Sequence, residues 1–289
     1  MLRGTVVKAY SGYYYVETAS GIWECSLRGR FKLERFQLYV GDEVEITVTE
    51  KNKGVIERIL PRRSLFKRPN VANVDQVVLT FAAANPALNL ELLDRFLVLA
   101  ELSAIPALVC LNKIDIVQWP DVEPIIRQYS GIGYQVFATS AKVGTGIAEL
   151  RNALERRISV FAGPSGVGKS TLLNTLEPGF KLKTGELSAG IGRGRHTTRF
   201  AQLLPLSGGG FVVDTPGFSL TDLTGVEPAE LRYCFREFLL FEPECRFTSC
   251  LHIHEPDCAV KAAVQDGKIA VQRYRSYTKL FEELRNRKD

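Results

Sequence analysis

Five short segments of this 289-residue chain combine residue types that can do chemistry. The clearest is Gly163-Pro164-Ser165-Gly166-Val167-Gly168-Lys169-Ser170, followed by Thr171. Gly163 and Gly168 allow a backbone to wrap a phosphate with its N–H groups, and Lys169 can reach the β- and γ-phosphates. Ser170 can offer a hydroxyl to Mg²⁺, and the helix that follows points its positive end at the anion. Asn112-Lys113-Ile114-Asp115 reads a base. A carboxylate at Asp115 accepts from guanine N1–H and the 2-amino group, two donors that adenine does not present, so the pattern selects GTP over ATP. Asn112 is placed to tie loops together and Lys113 to lay its stem along the base. Ser140-Ala141-Lys142 takes the equivalent place after the next strand. Asp214-Thr215-Pro216-Gly217 closes the nucleotide set, with Asp214 holding Mg²⁺ through water and the Gly217 amide sensing the γ-phosphate. Thr197 or Thr198 supplies a further Mg²⁺ ligand, the residues alone not saying which.

The residue after Gly217 is Phe218, where many GTPases carry a glutamine that orients the attacking water. Phenylalanine cannot do this. His196, within Gly190-Ile-Gly-Arg-Gly-Arg-His-Thr-Thr-Arg199, is the nearby side chain with suitable acid–base chemistry. The same stretch offers Arg193, Arg195 and Arg199 to RNA. The fifth segment is Cys245-x4-Cys250-x-His252-x5-Cys258, three thiolates and one imidazole in a span that closes a tetrahedral set, which makes the ion structural. His254 lies close enough to replace His252. Disulfides are the competing reading, weakened by the cytosolic character of the rest.

These motifs stand in an unusual order. The base-reading loop precedes the phosphate loop, whereas an ordinary small GTPase starts with the phosphate loop. The elements around them explain how the order is tolerated. Continuous apolar runs at 76–82, 107–111, 135–139 and 158–162 alternate with helical stretches at 90–104 and 147–157, the pattern of a parallel sheet covered on both faces. Phe200–Leu206 and Gly210–Val213 pair around Ser207-Gly-Gly-Gly. Upstream, five short strands within residues 1 to about 62, punctuated by Gly12, Gly21 and Gly41-Asp42, suit a small OB-type barrel. Tyr13 to Tyr15, Arg28, Arg30 and Lys32 are its candidates for an RNA-binding face. A basic, proline-containing connector at 61–76 marks the first boundary. Beyond Asp222 the chain turns helical, with Cys234, Phe235, Phe238, Leu239 and Phe241 as one apolar side. The final helix is basic, through Arg273, Arg275, Lys279, Arg285, Arg287 and Lys288, and reads as a solvated face. Three units follow: 1–62, 63–222 and 223–289.

Composition sets the frame. Hydrophobic residues make up 45% and charged residues 24%, ordinary for a globular protein. Net charge is +5, compatible with a nucleic-acid partner without requiring one. No run reaches the ~18 apolar residues of a membrane helix, and the N-terminus lacks the apolar run of a signal peptide, so a cytoplasmic protein is expected. Cys25, Cys110 and Cys234 stand apart as core residues.

Taken together, the rotated motif order, Gly-Arg-Gly-Arg-His-Thr-Thr, Asp-Thr-Pro-Gly-Phe, the Cys-x4-Cys-x-His-x5-Cys cluster and the ending Arg-Tyr-x-Ser-Tyr resemble the RsgA (YjeQ/YloQ) family of small ribosomal subunit-dependent GTPases. The resemblance implies an α/β P-loop GTPase domain, circularly permuted, with an N-terminal OB-type barrel and a C-terminal helical zinc-binding domain. It implies GTP hydrolysis stimulated by the 30S subunit, a role in late maturation of that subunit, contact with 16S rRNA, one structural Zn²⁺, and Mg²⁺ with GTP. It favours His252 over His254 as ligand and His196 as the catalytic residue. Asp257 departs from the glycine that the family usually has there, which bears on a turn and not on a ligand. From the permutation one further expectation follows: nucleotide ordering of Lys183–Arg199 and of the Gly217 loop sets the angle of the C-terminal region. A monomer is expected. Two other readings stay open, an RNA-binding protein that holds GTP as a structural ligand and a metabolic kinase.

Overall fold

The computed structural model describes residues 1–29, 31, 37–67, 70–182, 201–214, 223 and 225–287. Strands β1 (Leu2–Tyr10), β2 (Tyr13–Thr18) and β3 (Gly21–Leu27) form an antiparallel meander, and β4 (Glu43–Glu50) and β5 (Lys53–Ile59) form a hairpin. β4 pairs back onto β1 and β5 runs parallel to β3, so the five strands close on themselves. This is the OB-type barrel. Its inward positions, Val6, Val16, Cys25, Val44, Ile46 and Ile56, are sealed from solvent, as alternation along each strand requires.

The connector is fastened to the barrel. Arg62 pairs with the buried carboxylate of Asp42 at 2.6 Å, and Asn73 Nδ2 donates to Gly41 O at 2.9 Å. Gly41 has φ +92°, and a Cβ there would stand 2.0 Å from the Ala72 carbonyl oxygen, so only glycine allows this approach. Strands β6 (Leu65–Lys67) and β7 (Asn70–Ala72) make a small hairpin between the two.

The central sheet runs β10-β9-β8-β11-β13-β12. Strands β8 (Gln76–Ala82), β9 (Ala107–Asn112), β10 (Gln135–Ala138), β11 (Ile158–Ala162) and β13 (Phe211–Asp214) are parallel, and β12 (Gln202–Pro205) is antiparallel at the edge. Every residue of β8, β9 and β11 is buried, which is why they read as unbroken apolar runs. Val77, Leu79 and Phe81 face α1 (Leu90–Leu102) and α2 (Trp119–Gly131), while Val78, Leu108 and Phe161 face α3 (Ile147–Leu154) and α4 (Lys169–Leu176). Helix α2 escaped the sequence reading: Pro120 and Pro124 mask it, though Pro120 lies in the first turn, where no N–H is needed. Edge strand β12 also pairs with β1 through Lys8 and Gln202, joining barrel and sheet edge to edge.

In the C-terminal region the expected first helix is three short 3-10 turns, Pro228–Cys234, Phe238–Leu240 and Glu242–Glu244. The spacing explains it. Phe235, Phe238 and Phe241 recur every third residue, which aligns them on a three-residue turn; the first two are buried, while Leu239 is exposed and not part of the apolar side. Helices α5 (Ala259–Gln265) and α6 (Val271–Asn286) follow. Phe235, Phe238, Tyr277, Leu280 and Phe281 pack in one core with Leu93, Phe96 and Leu97 of α1. Any change of angle at this boundary would have to expose part of that core.

Arg273 corrects the reading of α6 as a solvated basic face. It is 1% exposed, with Nε and Nη2 donating to Glu237 at 2.6 and 3.0 Å and Nη1 to Asp94 at 2.6 Å. A buried guanidinium survives only with such partners. Asp94 lies 179 residues away in the chain, out of reach of any local pattern.

Candidate functional site

The phosphate loop joins β11 to α4 in a backbone path that needs glycine. Gly163 has φ +145°, and a Cβ there would stand 1.9 Å from Thr80 O; at Gly168, φ +95°, it would meet Asn112 Nδ2 at 2.6 Å. Lys169 opens α4 and turns its ammonium back over the loop, donating to Gly163 O at 2.8 Å and Pro164 O at 2.7 Å. Burial pulls its pKa down to about 8, the condition of a cation kept out of water and suited to meet an anion. Ser170 is buried in the first turn of α4, Val167 is buried beneath the loop, and Ser165, Gly166 and Thr171 are exposed.

Asn112 ends β9 and is 1% exposed. Its Nδ2 donates to Val167 O at 3.0 Å, while Oδ1 accepts from Ala141 N at 3.1 Å and from Thr139 Oγ1 at 3.3 Å. One side chain thus holds the phosphate loop, its own loop and the Ser140-Ala141-Lys142 loop together. Lys113, at φ +65°, donates to Gly166 O at 2.7 Å and to Asn85 O. Ser140 Oγ donates to Asp115 Oδ1 at 2.5 Å, leaving the other carboxylate oxygen for a ligand. Thr175 of α4 donates to Ala141 O at 3.0 Å and braces that loop. Asn112, Lys113, Asp115, Ile116, Ala141, Lys142, Gly168 and Thr171 line a cleft of about 190 Å³. A carboxylate at one end and a glycine loop with a lysine at the other match a base followed by its phosphates.

Three contributors were missed in the sequence: Asn85 and Thr139, which hold Lys113 and Asn112, and Ile116, which lines the cleft. The Asn85-Pro86 pair was legible only as a turn signal. Asp214 ends β13 one position past the Val160–Val213 pairing, at the edge of the sheet from which the phosphate loop leaves. His196, Thr197, Thr198 and Gly217 lie outside the described residues, as do Phe218, Arg193, Arg195, Arg199, Arg30 and Lys32.

On the barrel, Tyr13 is exposed and Tyr15 half-buried, its hydroxyl donating to Glu24 at 3.1 Å with the Lys8 ammonium over its ring. Tyr14 points the other way and packs on the barrel core, and Arg28 is paired with Glu57.

The ligand atoms of Cys245, Cys250, His252 and Cys258 lie within 4.8 Å of one another. His252 Nδ1 is 3.7 Å from Cys245 Sγ and 3.4 Å from Cys258 Sγ, and those two sulfurs are 4.0 Å apart. Tetrahedral bonds to zinc would set such atoms about 3.6–3.8 Å apart, so the donor set fits the ion in kind and in size. Burial, and then the charge of Arg232, pull the His252 pKa down to about 4, which keeps the imidazole in the neutral form that ligates. His252 sits at φ +59° and is buried, whereas His254 is exposed and outside the cluster. Tyr274 and Tyr277 donate to the carbonyls of His252 and Leu251, and Arg232 to that of Cys250 at 2.9 Å.

The RsgA GTPase family model matches residues 59–224 and the RsgA N-terminal domain model residues 3–56. A small ribosomal subunit biogenesis GTPase RsgA from Caldanaerobacter subterraneus subsp. tengcongensis is 47% identical over 286 residues, 99% of this chain and 97% of the relative. The crystal structure of YjeQ from Thermotoga maritima superposes with a TM-score of 0.86 at 43% identity, covering 99% of each chain. YloQ, a circularly permuted GTPase, superposes at 0.84 with 36% identity, over 100% of this chain and 96% of that one. The cleft shows how a guanine nucleotide can be held by motifs in rotated order, and likeness of this degree along nearly the whole length means that the chain belongs to the RsgA GTPase family and hydrolyses GTP.

Proposed function

We propose that this GTPase acts in late maturation of the small ribosomal subunit, that the 30S particle stimulates its hydrolysis, and that hydrolysis drives release. The observation that carries the reading is full-length likeness to relatives named for small-subunit biogenesis, supported by a cleft that brings the base-reading and phosphate loops together. The residues divide as 1–62, a barrel for 16S rRNA; 63–222, the permuted GTPase; and 223–289, a zinc-binding region. Asp115 reads guanine, Asn112, Lys113, Ser140, Ala141 and Lys142 frame the base, and Gly163 through Thr171 cradle the phosphates. Ser170, Asp214 and one of Thr197 and Thr198 hold Mg²⁺, while Gly217 senses the γ-phosphate. His196 acts on the attacking water, a role Phe218 cannot take. Cys245, Cys250, His252 and Cys258 hold one Zn²⁺, which as a closed four-ligand ion supplies folding energy and not catalysis. The protein works in the cytoplasm as a monomer; among the described residues no helix is long and apolar enough to cross a membrane.

Co-sedimentation tests the release step. The chain should pellet with 30S particles in a non-hydrolysable GTP analogue and stay in the supernatant with GDP. Equal binding in both would remove the switch, because a nucleotide shifts an equilibrium only by its differential effect on two states.

A further inference from the structure

A short run of contacts joins the metal cluster to the nucleotide cleft. At the metal end, Tyr274 and Tyr277 of α6 donate to His252 O at 2.7 Å and Leu251 O at 2.5 Å, gripping the backbone that carries the histidine. Arg273 and Gln272, on the same helix, turn toward α1. Asp94 of α1 accepts from Arg273 at 2.6 Å and Tyr129 at 2.7 Å on one oxygen, and from Gln272 at 2.6 Å on the other. Lys279–Glu91 and Arg95–Glu283, each at 2.5 Å, tie the two helices again nearer the surface. Just ahead of α1, the segment 83–88 supplies the Asn85 carbonyl that receives Lys113, and Pro86 stands 3.9 Å from where Gly166 would carry a Cβ. Lys113 in turn donates to Gly166 O of the phosphate loop. The central link is a buried ion cluster between α6 and α1; from α1 to residues 83–88, and from the two tyrosines to Arg273, the link is the chain itself.

A buried cluster of this kind resists sliding. Moving α6 by an ångström or two would leave Arg273, Asp94 or Glu237 without its partner in a place that water does not reach, so α1 and α6 shift together or not at all. We propose that α6, α1 and the metal-bearing loop are one clamped unit that sets the position of residues 83–88, and that metal occupancy and guanine-nucleotide affinity are thereby coupled, with Arg273 and Asp94 as positioning residues. The proposal rests on the reading of the four clustered side chains as a metal site. Coupling of this sort is reciprocal: if the ion strengthens nucleotide binding, nucleotide strengthens retention of the ion by the same factor.

The test uses the full chain, zinc-loaded and chelator-stripped, with the Kd of a fluorescent GDP derivative as readout and circular dichroism as the check on folding. Metal content per chain tests the metal reading separately. Stripping should weaken GDP binding by about fivefold or more. Zinc-loaded Arg273→Met should bind GDP more weakly than wild type, and stripping it should change little further. A residue that only stabilised the fold would lower the thermal midpoint and leave the zinc effect on Kd intact. If Arg273→Met does not fold, Tyr277→Phe removes one hydrogen bond and Gln272→Ala three, to Asp94, Ser276 and Gln128, neither unpairing Arg273 from its carboxylates, and each should shrink the zinc effect. A chain that holds no zinc removes the metal reading, and GDP binding by Arg273→Met and Gln272→Ala then decides the clamp alone. A stripped, folded wild-type chain that binds GDP as well as the loaded one overturns the coupling, and so do folded variants that keep the full zinc effect.

Discussion

Substituting Asn112 by alanine takes away three hydrogen bonds at once, to Val167 O, Ala141 N and Thr139 Oγ1. The groups left behind are at the buried junction of three loops, and the cavity left by a carboxamide admits water to only some of them. Counting about 1 kcal/mol for each net bond, and more for any group stranded without a partner, gives a loss of about 3 kcal/mol. The three loops are those that surround the nucleotide, so the loss falls on their arrangement and not on the sheet beneath. At about 1.4 kcal/mol per factor of ten, GDP affinity should drop about 100-fold, while the urea midpoint moves modestly. Titration with a fluorescent GDP derivative, alongside urea unfolding, separates the two. A folded variant whose Kd stays within about threefold of wild type, well under 1 kcal/mol, would refute the claim that Asn112 holds the cleft together.

Three other outcomes follow from the geometry. Lys169 is lowered to about 8 by burial, whereas phosphates at the same place favour its charged form; nucleotide binding should therefore take up a proton above pH 8, and affinity should fall as pH rises from about 8 towards 10, seen as buffer-dependent heats in calorimetry. The free protein shows the opposite sign over the same window: its depressed lysine pKa means that the unfolded chain binds more protons, so this group's contribution to stability rises with pH. Gly163→Ala puts a methyl group 1.9 Å from Thr80 O at a φ that non-glycine residues avoid, and should abolish GTP binding on a filter assay even where the chain still folds. Cys258→Ala removes one of four clustered ligands and should reduce bound zinc from one ion per chain to a small fraction by atomic emission, with a thermal midpoint lower by several degrees.

The strands and the cleft were legible because their signals are local. β8, β9 and β11 are buried on both faces and must be apolar throughout; a loop that wraps a phosphate must have glycine where φ is positive; a base-reading carboxylate must follow a strand. Three thiols and an imidazole within one short stretch are local too. What failed was long-range. The five-strand barrel was expected, but the parallel pairing of β5 with β3 that closes it was not legible, because alternation does not express pairing between distant residues. Arg273 looked like its solvated neighbours on α6 because the partners that make its burial tolerable, Asp94 and Glu237, are on other elements. Likewise chain order shows that the C-terminal region follows the nucleotide-sensing loops, but only packing shows that it shares a core with α1. Helix α2 was hidden by two prolines whose cost depends on where in the helix they fall.

The proposed response of GTP hydrolysis to the small ribosomal subunit can be measured directly. The direct measurement is steady-state GTP hydrolysis by the full chain alone and with 30S particles, 50S particles or free rRNA. Slow turnover alone, raised many-fold by 30S particles and by neither of the others, is the predicted result, since Phe218 cannot orient the attacking water. Fast turnover without any partner, or a rate indifferent to 30S particles, would contradict it.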